Sequence, residues 1–266
     1  MGPIWMDRPD ARPIPPSTED DPLTAARRPA PSALPARDLV DVRLADILGK
    51  LGCPVCRGRA ETEQRFLDGW LYERVNDVRT RRELDASRGL CDHHLHALLA
   101  ADRARAGGGL GTAILYDAML RVRLHELTRA HGERGRGRGK RLAEAAAPAT
   151  CMVCLEAASG ERVILEGLLA HLGDPAWSEA TAAAALCLAH LRDLMIAGSG
   201  DARWAPVEAR QLARVHALHE RLVAFAHLSS HDRRHLRTAE HEASVDEVAD
   251  LLGRDRHTGV HAGGQS

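Results

Sequence analysis

The chain has 266 residues, with 36 Lys and Arg against 37 Asp and Glu, and this balance excludes a whole-molecule field that would draw it to nucleic acid or anionic lipid. Aromatic residues make up only 3% while Ala and Leu abound, a composition suited to packed helices rather than sheets, so the sequence predicts an all-α protein.

The amino terminus, MGPIWMDRPD, shows no basic start followed by an apolar stretch. The longest apolar run, residues 182 to 189, is far too short to span a bilayer. A cytoplasmic protein with no membrane segment is expected, and in that reducing compartment CxxC pairs serve as ligands or redox centres rather than structural disulfides. Residues 1–37 hold nine of the 13 prolines and few large apolar side chains, which predicts a disordered segment.

Asp38 is placed to cap a helix carrying Leu39, Val42, Ile47 and Leu51. After Cys53, the residues Phe66, Leu67, Trp70, Leu71 and Val75 recur at helical spacing. A break at Asn76 and Asp77 follows, with Asn as a left-handed cap and Asp as the cap of the next short helix, around Leu84. A helix from Cys91 with Leu95, Leu98 and Leu99, a glycine loop at Gly107 to Gly109, and a long helix with Ile114, Leu115, Met119 and Val122 complete a first module, residues 38–131.

Residues 132–149, including HGERGRGRGKR, read as a flexible Gly/Arg linker. Its positive charges lack the aromatic platform that nucleic acid binding would need. A second module, 150–253, repeats the helix order. Ile164, Leu165, Leu168, Leu169 and Leu172 are followed by a break at Gly173 to Pro175, a short Ala-rich helix capped by Ser178, and a long helix with Leu212, Val215, Leu218 and Leu222. A closing helix over 239–252 and a disordered tail, 254–266, end the chain.

The chemistry lies in a pattern written twice. Cys53 and Cys56, then Cys91 and His94, recur as Cys151 and Cys154, then Cys187 and His190, and this absorbs all six cysteines. Three soft thiolates and one imidazole form the donor set of a closed tetrahedral zinc site, so two zinc ions are expected, one per module. An iron-sulfur cluster on the same ligands ranks below zinc. Gaps of 34 and 32 residues between each CxxC and the following CxxH let a helical hairpin join the ligands within each module; pairing across modules is the alternative.

Pro54 suits the first position of a helix, which places Cys53 at its N-terminus, and similar starts are expected at Cys91 and Cys187, where the helix dipole favours thiolate. Arg57, Arg59 and Arg88 are expected to offset the first site's residual charge. The second site lacks such neighbours, has Glu156 close by, and is expected to be the weaker or more oxidisable. The repeat selects His94 over His93 and His96, which become surface or supporting groups. HExxH and P-loop patterns are absent, and the eight histidines between His216 and His261 complete no further site.

On CPVC, the stretch ERVNDVRTRRELDASRGLCDHH, and CMVC with LCLAH, the chain resembles a bacterial family of duplicated CPxC…GxCxxH helical proteins known only as a domain of unknown function. The similarity covers residues 38 to 252; the second repeat departs from it in having no Pro after Cys151 and no Gly before Cys187. The resemblance implies the metal ligands and no established activity. The function expected is a non-enzymatic scaffold or protein-interaction module with an unidentified protein partner; the alternative is a redox, thiol-switch or iron-sulfur protein.

Overall fold

In the computed structural model of the chain, residues 34–105, 108–148 and 150–253 are described, and their regular structure is all helical. The expected disordered stretches, 1–37 and 254–266, fall outside that range except for 34–37. There Leu34 packs against the core and Arg37 Nη2 lies 2.7 Å from Asp174.

Helix α1 (Leu39–Leu48) starts at Asp38, whose side chain accepts hydrogen bonds from the Val40 and Asp41 amides at 2.8 and 2.9 Å. Helix α2 (Pro54–Gly69) runs on into a π-helical turn, Trp70–Arg74. Asp77 caps α3 (Val78–Ser87) by accepting from the Thr80 amide, as expected. Asn76 does not take the left-handed role: among the described residues that conformation falls, outside glycine, to Arg88 at the end of α3. Gly89 follows with φ 101°, and a Cβ there would lie 2.9 Å from the Met119 sulfur, so both backbone and packing call for glycine before Cys91.

Helices α4 (Asp92–Arg103) and α5 (Leu110–Gly132) lead to a region that departs from expectation. The Gly/Arg linker contains helix α6 (Arg138–Ala145), packed on α5. The Ala145 carbonyl accepts from Arg123 at 3.1 Å and the Glu144 carbonyl from Arg88 at 2.9 Å. Gly137, with φ 89°, turns the chain into α6, and Leu142, Ala143 and Ala145 are good helix formers, which outweighs the flexibility of the glycines.

Helices α7 (Met152–Ala170), α8 (Ser178–Ala182), α9 (Leu188–Ala197), α10 (Ala205–His227) and α11 (Ala239–Leu252) complete the chain. Ser178 is the first residue of α8 rather than its cap, which is Trp177. No helix among the described residues is long and apolar enough to cross a membrane.

The central contact is α2 against α7, and it is antiparallel. A Cβ on Gly58 would meet Ile164, and one on Gly160 would meet Thr62, so earlier residues of one helix face later residues of the other. Glycine at these points lets the backbones approach closely. The repeats therefore do not pack as two tandem modules, because each core draws on both. One joins Leu44, Ile47 and Val55 to Ile164, Trp177, Leu186 and Leu194; the other joins Leu67, Trp70, Leu84, Leu98 and Leu115 to Val153.

Candidate metal centres

Four helices begin on a cysteine. Cys53, Cys91, Cys151 and Cys187 are the N-cap residues of α2, α4, α7 and α9, and Cys56, His94, Cys154 and His190 lie three residues on, in the first turn. Each helix start thus presents two donors side by side, at the positive end of its dipole. Antiparallel packing of α2 on α7 carries the two CxxC starts to opposite ends of that pair, where each meets the other repeat's CxxH helix.

The donors therefore gather as Cys53, Cys56, Cys187 and His190 in a first centre and as Cys91, His94, Cys151 and Cys154 in a second. All eight candidate residues fall in these two groups, but each group crosses from one repeat to the other instead of closing within a module as expected. The helical hairpin that was to close each site is replaced by the α2–α7 contact, which holds each CxxC away from its own CxxH.

The spacing fits a tetrahedral metal. With metal–sulfur bonds of about 2.3 Å, the sulfurs of a tetrahedron stand about 3.8 Å apart. Cys56 and Cys187 Sγ are 3.8 Å apart, and Cys91 and Cys154 Sγ 3.7 Å. His190 Nδ1 lies 3.4, 3.3 and 3.2 Å from the sulfurs of Cys53, Cys56 and Cys187. His94 Nδ1 lies 3.1, 3.3 and 3.3 Å from those of Cys91, Cys151 and Cys154. These edges are slightly shorter than the about 3.5 Å of a zinc tetrahedron with one nitrogen donor. All six cysteines lie among the described residues, and none of them is in a disulfide.

Two carboxylates complete the centres, and neither was singled out in the sequence. Glu161 Oε1 lies 3.1 Å from His190 Nε2, and Glu63 Oε2 lies 3.3 Å from His94 Nε2. The hydrogen bond from His190 to Glu161 fixes the tautomer that leaves Nδ1 free to bind a cation, while Glu63 stands beside His94 Nε2 without completing a hydrogen bond to it. The helices trade roles here. Helix α2 gives two cysteines to the first centre and Glu63 to the second, while α7 gives two cysteines to the second and Glu161 to the first. The legible signal was position: each glutamate follows the first cysteine of its CxxC by the same interval, Cys53 to Glu63 and Cys151 to Glu161.

The electrostatics favour positive charge at the middle of each cluster. Burial pushes the His94 pKa down, yet the hydrogen bond to Cys151, the Glu63 carboxylate beside the ring and the charges of both outweigh it and raise it to about 10. Burial likewise opposes, and the Cys187, Cys53 and Glu161 bonds overcome, at His190, raised to about 11. Cys151 is lowered to about 6 by its bond to His94 against the cost of burial, whereas burial and the neighbouring thiols raise Cys154. Glu161 falls to about 2 through its bond to His190 and, against burial, its pairing with Arg59.

The arginines expected to soften the first site do so only in part. Arg59 is buried and pairs with Glu161 at 2.9 Å, so it neutralises the carboxylate rather than the sulfurs. Arg57 is turned to the Leu51 carbonyl and Arg88 to Glu126. At the second centre His93 takes the corresponding place, 3.2 Å from Glu63, and His96 is exposed beside Asp92. Comparison with protein-family models, curated proteins and solved structures finds no match for this chain.

Proposed function

We propose that the chain is a zinc-binding helical scaffold in which two structural Cys3His centres clamp the two halves of the chain together. The observation that carries this is geometric: two sets of three Sγ and one Nδ1 at tetrahedral spacing, each with a glutamate behind its histidine. Four protein donors leave no open coordination position for substrate or water, which favours a structural over a catalytic metal. Zinc suits the mixed sulfur and nitrogen set better than the harder cations, which prefer oxygen.

The scaffold's task is to present a surface to a protein partner. Leu120, Leu124 and Leu127 follow one another along one face of α5 and are exposed, a stripe at the spacing a helix-binding partner reads.

Anaerobic purification of the untagged chain, followed by elemental analysis and optical spectroscopy, tests the reading. Two zinc ions per chain and no visible absorption are expected. Stoichiometric iron and sulfide with visible bands would replace it with an iron-sulfur protein.

A further inference from the structure

The two centres differ in how their sulfurs meet solvent. Cys53, Cys56 and Cys187 are only 8%, 7% and 1% exposed, although the first two line a cleft of about 870 Å³ between α2, α4 and α11. In the second centre Cys151 is equally covered at 6%, but Cys91 and Cys154 are both half-buried. These two are neighbours, with 3.7 Å between their sulfurs, and they belong to different helices, α4 and α7.

We propose that Cys91 and Cys154 are an oxidative modification site, at which hydrogen peroxide oxidises the pair to a disulfide and releases the second centre's zinc while the first centre keeps its own. The proposal rests on the reading of that cluster as a zinc centre. One of the two half-buried thiolates attacks the peroxide, its O–O bond breaks, and a sulfenic acid forms as hydroxide leaves. The other thiolate then attacks that sulfur, the S–S bond closes, and a second hydroxide leaves. Two thiolates lose two electrons, one peroxide gains them, two protons turn the hydroxides into water, and the zinc ion departs with only Cys151 and His94 left to hold it.

Exposure selects the pair, since oxidant must reach the sulfur and a resolving thiolate must lie beside it. The product also preserves the architecture. A Cys91–Cys154 bond still joins α4 to α7, so a covalent tie takes over from the metal, and reduction would rebuild the centre. A bond between Cys151 and Cys154 would stay within one helix start and leave α4 untied.

Full-length zinc-loaded protein titrated with hydrogen peroxide decides this, with zinc release followed by a chromogenic chelator and disulfides mapped by peptide mass spectrometry. One zinc is expected to leave at least about tenfold faster than the other, with Cys91 joined to Cys154 and Cys53, Cys56 and Cys187 unmodified. Subsequent thiol treatment should restore uptake of the second zinc. Release of both ions together, first oxidation at Cys53, Cys56 or Cys187, or a Cys151–Cys154 bond overturns the proposal. If the purified chain holds no zinc, the zinc reading fails by itself, and the same peptide map still accepts or rejects the Cys91–Cys154 bond.

Discussion

Thr62 and Gly160 occupy equivalent places in the two repeats, and they touch: a Cβ on Gly160 would lie 2.1 Å from Thr62 Oγ1 and 2.6 Å from its Cβ. The contact marks the point about which α2 and α7 cross, each repeat meeting its own counterpart. Gly160→Ala should therefore destabilise the protein, because the obstacle includes the stiff root of a β-branched side chain. Overpacking costs about 1–3 kcal/mol, partly offset by the roughly 1 kcal/mol helix preference of Ala over Gly. The control is Gly69→Ala, where no atom lies within 4 Å and stability should hold or rise. Denaturant melts of both variants check the contrast.

The crossed support of the histidines gives a second prediction. Glu63→Gln should weaken zinc binding about 10–100-fold at the second centre, whose His94 it backs, and leave the first centre, to which its own helix supplies Cys53 and Cys56, unchanged. Competition with a chelator of known affinity resolves one weakened and one unaltered ion.

Removal of both ions should unfold most of the helical structure. A structural zinc contributes on the order of 10–16 kcal/mol, as much as the roughly 5–15 kcal/mol net stability of an ordinary domain. Circular dichroism during chelation should show helix lost in proportion to zinc released and regained on zinc addition.

Asp41 supplies a pH test away from the metals. Its carboxylate accepts from the Arg37 amide at 2.9 Å and lies 2.7 Å from His171 Nε2, and that ring stacks on Trp177 at 3.9 Å between centroids. The Arg37 amide first, then His171, hold the Asp41 pKa below its usual 3.8. A carboxylate depressed in the folded state stabilises above its unfolded pKa of about 3.9 and loses that contribution as pH falls through the lower folded value. The stability gap between wild type and Asp41→Asn should thus shrink as pH falls from about 4 to below the lowered folded value. A gap that widens on acidification would contradict the assignment.

Much of this was legible in the sequence because it is local. The eight candidate residues follow from spacing, the helix start at Cys53 from Pro54, and the caps at Asp38 and Asp77 from their side chains. Pairing was not legible, since within-repeat and crossed sites use the same residues and both satisfy the loop lengths. What separates them is a long-range contact, Gly58 on Ile164 and Gly160 on Thr62, and helical glycines read locally only as weak points. Glu63 and Glu161 were hidden for a related reason. They serve centres that their own helices' cysteines do not form, so the shared interval from Cys53 to Glu63 and from Cys151 to Glu161 did not point to the histidine each stands beside.

Zinc content of two double variants tests the crossed clamp most directly. Cys53→Ser with Cys187→Ser removes two ligands from one centre, whereas Cys53→Ser with Cys91→Ser takes one from each. The first protein should retain one zinc per chain and the second none bound tightly. The opposite pattern, with the Cys53 and Cys91 variant holding one ion and the Cys53 and Cys187 variant holding none, would show that each repeat closes its own site and contradict the account.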